Sequence, residues 1–263
     1  MFLRECELNL NSQKTPAMAS PAYNGWGNPI STPRESKDSV CQEQTKLPSA
    51  AALSALYEQR NQMLLVFDFE STGLGRDAQG IEVAYLISTP DGNIVEQYAG
   101  LLFCGKKSSA GALSVHKIPD ARVEQYGNRD VSDILRRLID RMQEVVDRGG
   151  HVIAHNAKFD LRILRQTCEV HGVFVPPGLQ MTCMLRLART VKDGRLCKVK
   201  TNSSLFAFLG GDSSTVVAHS AMGDCTMTLH NYLKCTSPDL AFWPRFMTRA
   251  RYLQLIDIAD LPY

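Results

Sequence analysis

Two acidic residues, Asp68 and Glu70, stand one residue apart at the end of an apolar run from Met63 to Phe69. The run is rich in strand-forming residues and stops at Ser71-Thr72-Gly73, so it predicts a buried β-strand. Because a strand alternates its faces, both carboxylates point the same way. Two carboxylates beside a buried strand are costly to keep charged without a cation, and a hard ion such as Mg²⁺ takes oxygen ligands. The alternative is a strand end that emerges into water with two hydrated acids.

A third acid, Asp160, falls in the first turn of a predicted helix that follows a short apolar strand, His151 to His155. The helix dipole favours a carboxylate at this position, so Asp160 could also be an ordinary first-turn acid. Asn156 lies between strand and helix, where it could cap the helix or reach a ligand.

The fourth acid, Asp224, follows a histidine, His219, at a spacing of five residues. Inside one helix that spacing would separate the two side chains by about 140°. For both to face one site, His219 must lie in the loop before the helix and Asp224 in its first turns. Gly223 then removes a side chain where backbone and ligands crowd. Taken alone, His219 could equally be a solvent-exposed or a core histidine.

The elements that would position these residues alternate between strand and helix patterns. Apolar spacing and turn residues predict three strands, then a helix, a strand and four helices, which together indicate a mixed α/β sheet with helices packed on it. The predicted strands are 63–69, 81–88, 94–103 and 151–155, with a hairpin turn at 90–93. The predicted helices are 131–147, 159–171, 182–191, 203–209 with Asn202 or Ser203 as its cap, and 220–234.

Composition divides the chain into three parts. Residues 1–50 hold five of the twelve prolines, and five basic against five acidic residues, without any helical or strand period, which predicts a disordered N-terminal tail. Such a tail could dock a protein partner. Residues 51–236 are predicted to form the folded domain, and residues 237–263 a C-terminal appendage with a helix over 245–258.

Charge and cysteine content exclude several classes of protein. The net charge is only +2, so any nucleic-acid-binding surface must be local. None of the eight cysteines forms a C-x-x-C pair, which argues against a zinc ribbon and favours reduced thiols. No run approaches the ~20 apolar residues of a membrane span, and the N-terminus has no sustained apolar segment of a secretory signal. We therefore expect an intracellular protein, cytoplasmic or nuclear, without a membrane partner.

The acidic motifs, taken in order, resemble those of the DEDDh 3′-to-5′ exonucleases. This family includes the proofreading epsilon subunit, ribonuclease T and the TREX-type enzymes. The matching segments are FDFESTGL (67–74), AHNAKFDLRIL (154–164) and HSAMGDC (219–225), and residues 113–118 are similar to a short segment that the family places between the first two. The resemblance extends over roughly residues 62–235.

The resemblance implies a ribonuclease-H-like α/β fold, with a five-stranded mixed sheet and helices on both faces. It implies that Asp68, Glu70, Asp160 and Asp224 hold two Mg²⁺ ions, for which Mn²⁺ can substitute, with Asp68 between them. It further implies that His219 accepts the proton of the attacking water. Members with a tyrosine base carry it where Ser220 stands here, so the histidine subclass is the better match. The substrate-binding residues implied for the 3′-terminal nucleotide are Ser71, Thr72, Gly73, Leu74 and Asn156, although Gly73 could be a simple turn glycine.

The function expected on this basis is a metal-dependent 3′-to-5′ exonuclease acting on single-stranded nucleic acid. We expect it to release nucleoside 5′-monophosphates, with DNA favoured as the substrate and a place in DNA repair or replication. One alternative is an RNA 3′-to-5′ exonuclease of the same fold. Another is a catalytically idle domain that binds nucleic acid or a protein. Loss of a carboxylate or of the histidine would mark such an idle domain, and all five residues are present.

Overall fold

A computed structural model describes residues 62–190 and 201–236 and the backbone of residues 255–257, all within one compact unit, Pro48–Tyr263. The strands are Leu64–Ser71 (β1), Gly80–Ser88 (β2), Ile94–Leu101 (β3), His151–Ala154 (β4), Gln180–Cys183 (β5) and Leu255–Asp257 (β6). The helices are Ala110–His116 (α1), Asp120–Tyr126 (α2), Val131–Asp147 (α3), Ala157–Val170 (α4), Met184–Thr190 (α5), Asn202–Phe208 (α6) and Ala221–Thr236 (α7).

The strands form one mixed sheet in the order β3-β2-β1-β4-β5-β6. Strand β1 lies inside it, antiparallel to β2 and parallel to β4, while β5 runs parallel to β4. Because β1 and β4 are parallel, their carboxyl ends meet at the same edge of the sheet, which is where open α/β sheets bind ligands. Both strands lead directly into the acidic motifs.

Alternating residues of β1 pack against helices on opposite faces of the sheet. Leu65, Phe67 and Phe69 join the core formed with helices α3 and α4. Leu64 and Val66 join a second core formed with α5, α6 and α7. The period-2 pattern of β1 therefore turns Asp68 and Glu70 toward the face that α7 covers. The fold class is confirmed as a mixed sheet with helices on both faces.

Several elements differ from the sequence prediction. Strand β5 occupies the start of the predicted helix 182–191, because a four-residue apolar strand that leads straight into a helix has no period of its own. Residues 255–257 form the sixth strand, β6, rather than part of the predicted helix 245–258, and pair antiparallel with β5. Helices α1 and α2 were not predicted, because each buries a single side chain and so carries no apolar period.

The predicted cap of the helix at 203–209 is also wrong. Helix α6 begins at Asn202, and the Thr201 side chain accepts the hydrogen bond from the Ser204 N–H. Thr201 therefore caps the helix, which frees the Asn202 side chain for contacts elsewhere.

Other predictions fall partly or wholly on residues outside the described ranges. The tail 1–50, its protein partner, and most of the appendage 237–263 are among them and stay predictions. Within the described ranges, no helix is long and apolar enough to span a membrane. The five cysteines found there carry free thiols, of which four are buried.

Candidate metal centre

Three carboxylates from two distant parts of the chain converge beyond the middle of β1. One carboxylate oxygen from each of Asp68, Glu70 and Asp224 lies within 4.8 Å of the other two. Strand alternation places the first two side chains on one face, and α7, which packs on that face, brings the third. An all-oxygen donor set of this size suits a hard divalent cation.

The first turn of α7 fixes the position of Asp224. Ser220 begins this turn: its Oγ accepts the Gly223 N–H at 3.2 Å, and its carbonyl accepts the Asp224 N–H at 2.9 Å. Each carboxylate oxygen of Asp224 also accepts a hydrogen bond, Oδ1 from Asn202 Nδ2 at 3.1 Å and Oδ2 from the His219 N–H at 2.8 Å. The carboxylate is therefore held in one orientation from two sides.

His219 lies in the loop before α7, the arrangement that its spacing from Asp224 requires. Its backbone is in the left-handed region, with φ at 60°, which is uncommon for a residue other than glycine. That conformation directs its N–H at Asp224 while its side chain stays exposed. The loop also packs closely on the helix, because a Cβ atom added to Gly223 would lie 1.9 Å from the Val217 carbonyl oxygen. Only glycine fits there without a shift of the loop.

Asp160 reaches the same strand from the first turn of α4. Its side chain is buried, and its Oδ1 accepts the Phe69 N–H at 3.2 Å. Phe69 stands between Asp68 and Glu70 in sequence, so the bond places the Asp160 carboxylate beside the cluster. The four predicted acids therefore lie around one end of β1.

The acids raise one another's pKa values. Burial raises the pKa of Glu70 to about 8, with further contributions from the charges of Asp224, Glu82 and Asp160. Burial also raises the pKa of Asp160 to about 7, against the opposing hydrogen bond from Phe69. The pKa of Asp68 lies well above its usual range for the same reasons, namely desolvation and then neighbouring acids.

The pKa of Asp224 is raised by the balance of two opposing effects. Burial raises it, while the hydrogen bonds from Asn202 and His219 lower it. Within the described ranges, none of the ion pairs joins a lysine or arginine to any of the four acids. Neighbouring acids that destabilise one another's charge in this way fit a centre that binds a cation.

The residues predicted to bind substrate lie at the end of β1 (Ser71), on the loop after it (Thr72, Gly73 and Leu74) and directly before α4 (Asn156). Ser71 and Thr72 are buried, and Thr72 Oγ1 accepts the Gln79 N–H at 3.1 Å, which fixes the loop. Leu74 is 76% exposed at the tip of this loop. A Cβ atom added to Gly73 would lie 3.4 Å from Ser109 Oγ, an ordinary contact, so this position has room for a side chain. Asn156 is exposed and makes no side-chain cap to α4, which leaves its amide open to a ligand.

Sequence reasoning missed two residues of the site. Asn202 was assigned only as a possible cap, but its side chain is buried against Asp224. Glu82 lies on β2 directly opposite Glu70 in the strand pairing. The available signal was that Glu82 is the single charged residue in the run Gly80–Ser88, and a lone charge within an apolar strand needs a partner.

Comparison with known families identifies the chain. The family model described as exonuclease, of the RNase T type, matches residues 65–232, well over half of the chain. The chain belongs to this exonuclease family. A curated relative, the PolC-type DNA polymerase III of Thermotoga petrophila, is 28% identical over 105 residues. That match covers 40% of this exonuclease chain and 7% of the polymerase.

Solved exonuclease structures share the fold. Exonuclease I of E. coli in complex with a dT13 oligonucleotide is 14% identical, with a TM-score of 0.57 over 72% of this chain and 43% of that one. The nuclease domain of 3′hExo, a DEDDh family member bound to rAMP, is 14% identical, with a TM-score of 0.53 over 74% and 96% of the two chains. A 3′-exonuclease solved with a histone mRNA stem-loop is 13% identical and gives a TM-score of 0.54, covering 77% and 93% of the two chains. The fold is therefore ribonuclease-H-like, as the motifs implied.

The raised pKa of Glu70 predicts how the stability of the metal-free exonuclease depends on pH. Since the pKa rises from 4.5 to about 8 on folding, ionised Glu70 destabilises the folded state. The stability that Glu70 contributes is fully present below its unfolded pKa and is lost as the pH rises toward its folded pKa. Glu70→Gln should not lose this stability, because glutamine does not ionise. In EDTA, its Tm should therefore exceed that of the parent by a margin that grows between these two pH values.

Thermal melts of both proteins across that range, without and then with excess Mg²⁺, measure the margin. Mg²⁺ should reduce the Tm difference between the two proteins, because the ion stabilises the parent more than the variant. Glu124→Gln, at an exposed position on α2, is the matched control and should show no such trend. A margin that stays constant with pH would contradict the electrostatic account of the cluster.

Proposed function

We propose that this chain is a metal-dependent 3′-to-5′ exonuclease of the DEDDh type. It hydrolyses the phosphodiester bond at the 3′ end of single-stranded nucleic acid, with DNA favoured, and releases nucleoside 5′-monophosphates. The observation that carries the proposal is the convergence of acids from three separate motifs around one end of β1, with the His219 backbone bound to one of them.

In this proposal the carboxylates of Asp68, Glu70, Asp160 and Asp224 would hold two Mg²⁺ ions, for which Mn²⁺ would substitute. The donor set supports this role, because every donor is a carboxylate oxygen and the acids raise one another's pKa values. Metal ions in such a pair supply an activated water and offset the negative charge on the leaving oxygen. The hydrogen bonds from Phe69, Asn202 and His219 hold Asp160 and Asp224 in place for that role.

His219 is the proposed general base, which accepts the proton of the attacking water. Its exposed side chain can reach a substrate that enters from solvent, while its backbone N–H is bonded to Asp224. This backbone bond couples the position of the base to that of a metal ligand. Positive φ at a proposed base is the kind of local strain that occurs at active sites, where the surrounding structure enforces it.

Ser71, Thr72, Gly73, Leu74 and Asn156 are proposed to bind the 3′-terminal nucleotide. A strongly exposed leucine at the tip of a fixed loop offers an apolar surface to the terminal base. Similar solved structures hold a dT13 oligonucleotide in one case and recognise a histone mRNA stem-loop in another, so both chemistries fit the fold. The match to a PolC-type DNA polymerase favours DNA and a role in replication or repair.

Digestion of matched oligonucleotides tests this function. With Mg²⁺, the full chain should shorten a 5′-labelled single-stranded DNA one nucleotide at a time and release 5′-mononucleotides, identified by chromatography. EDTA should stop the reaction. Asp68→Ala should lower the rate by orders of magnitude, because it removes a ligand and leaves the neighbouring acids without their shared cation. Asp133→Ala, on the exposed face of α3, is the control and should keep the parental rate.

Four results decide between the candidates. Shortening of a matched RNA but not of DNA would favour the RNA exonuclease. Binding of the oligonucleotides without any cleavage would favour the idle domain. Release from the 5′ end would contradict the proposed direction. A parental rate in Asp68→Ala would contradict the metal site.

A second prediction concerns the proposed base. His219→Ala should lose about 10²–10⁴-fold in rate, the usual contribution of a general base, and still bind Mn²⁺ and oligonucleotide. Added imidazole should restore part of the lost rate, because it can occupy the emptied position and accept the proton. Steady-state kinetics with and without imidazole measure both effects.

The matched control is His171→Ala. His171 is the C-cap residue of α4, whereas Asp160 lies in the first turn of that helix. At about 1.5 Å of helix rise per residue, the length of α4 separates His171 from the site. It should keep the parental rate and show no response to imidazole. An unchanged rate in His219→Ala would remove His219 from this role.

A further inference from the structure

Glu82 is a fifth acid beside the cluster and lies outside the proposed ligand set. It stands on β2 opposite Glu70, and directly opposed residues of antiparallel strands project their side chains to the same face. Like charges in this relation destabilise a sheet. Its side chain is only partly exposed. A carboxylate kept at this place needs a compensating partner.

The partner is the start of α7. Glu82 Oε2 accepts the N–H of Ala221 at 2.9 Å, and Ala221 is the first residue of this 16-residue helix. The first N–H groups of a helix have no acceptor within the helix, and the helix dipole is positive at that end. Ala221 is fully buried, so water does not replace Glu82 as the acceptor. The bond therefore joins β2 to the beginning of α7.

The residues on either side of Ala221 give this bond its importance. His219 precedes it by two positions, and Asp224 follows it by three, in the first turn of α7. Strand β2 is paired along its length with β1, which carries Asp68 and Glu70. This hydrogen bond thus ties the start of the segment that carries the proposed base and one ligand to the strand beside the other two ligands.

We propose that Glu82 is a positioning residue of the exonuclease site. Its carboxylate anchors the first residue of α7, so that Asp224 and His219 meet Asp68 and Glu70 at the correct distance. Glu82 itself neither binds the metal ions nor touches the substrate. This inference rests on the proposed function, because the distance that Glu82 sets has a purpose only if the acids hold metal ions.

The test separates the hydrogen bond from the charge. Glu82→Gln removes the charge but keeps a side-chain oxygen that can accept the Ala221 N–H. Glu82→Ala removes both. Glu96→Ala is the matched control, because Glu96 is a carboxylate on the adjacent strand β3 that binds Tyr85 and Arg141 on the opposite layer of the sheet.

Mn²⁺ affinity, measured by calorimetry on the full chain without nucleic acid, is the first readout. Removal of a residue that orients metal ligands typically lowers metal affinity or activity by about 10–100-fold, so Glu82→Ala should weaken Mn²⁺ binding by about that factor. Glu82→Gln should lose only a few-fold, and Glu96→Ala should match the parent. With Mg²⁺ and oligonucleotide, kcat should follow the same order while KM stays close to the parental value.

Two outcomes would overturn the inference. Parental Mn²⁺ affinity in Glu82→Ala would show that the anchor is dispensable. An equal loss in Glu82→Gln and Glu82→Ala would show that Glu82 acts through its charge and not through the bond to Ala221. If Glu82→Ala does not fold, Glu82→Met takes its place, since it keeps much of the side-chain volume without an acceptor.

The failure of this inference can be told from a failure of the proposed function. A parent protein that binds Mn²⁺ but degrades no nucleic acid contradicts the exonuclease proposal, and the affinity series still decides the role of Glu82. A parent that binds no Mn²⁺ contradicts the metal centre and the inference together. Where the parent binds Mn²⁺, unequal losses in the two Glu82 variants support the inference whether or not the protein degrades nucleic acid.

Discussion

Mutual repulsion among buried acids is the constraint around which this end of the sheet is organised. Asp68, Glu70 and Asp224 hold their carboxylate oxygens within 4.8 Å of one another, and Asp160 lies against the same strand. Burial alone disfavours their ionised forms, and each charge makes the next less favourable. Such a group lowers the stability of the fold, so its presence supports a site that binds a cation.

Among the residues that the structure describes, backbone N–H groups rather than lysine or arginine side chains counter the repulsion. Phe69 donates to Asp160, His219 donates to Asp224, and Ala221 donates to Glu82. These donors orient the carboxylates without neutralising them, whereas an arginine in the same place would compete with a metal ion. The left-handed backbone of His219 and the close contact of Gly223 with the Val217 carbonyl are local costs of this arrangement.

Much of the site could be predicted from the sequence where the residues follow a clear strand period or helix spacing. The alternation in β1 predicted that Asp68 and Glu70 share a face, and the spacing of His219 and Asp224 predicted a loop followed by a helix. The predictions for β5 and for the cap of α6 were wrong. A four-residue strand is too short to show a period, and no periodic pattern tells which of several adjacent polar residues caps a helix. As the single charge in an apolar strand, Glu82 could have been marked as a residue that needs a partner, but its place opposite Glu70 depends on the register between β1 and β2, which only the folded chain defines.

The expected behaviour of the site is that its acids hold protons without metal and exchange them for the ion. It is tested most directly by calorimetric titration of Mn²⁺ into the metal-free chain near pH 7, in buffers of different ionisation enthalpy. Metal ligands must be deprotonated to bind, and the pKa values of Glu70 and Asp160, at about 8 and about 7, leave both partly protonated there. We expect a binding heat that varies with the buffer and corresponds to the net release of protons. Binding whose heat is independent of the buffer, or no binding at all, would contradict it.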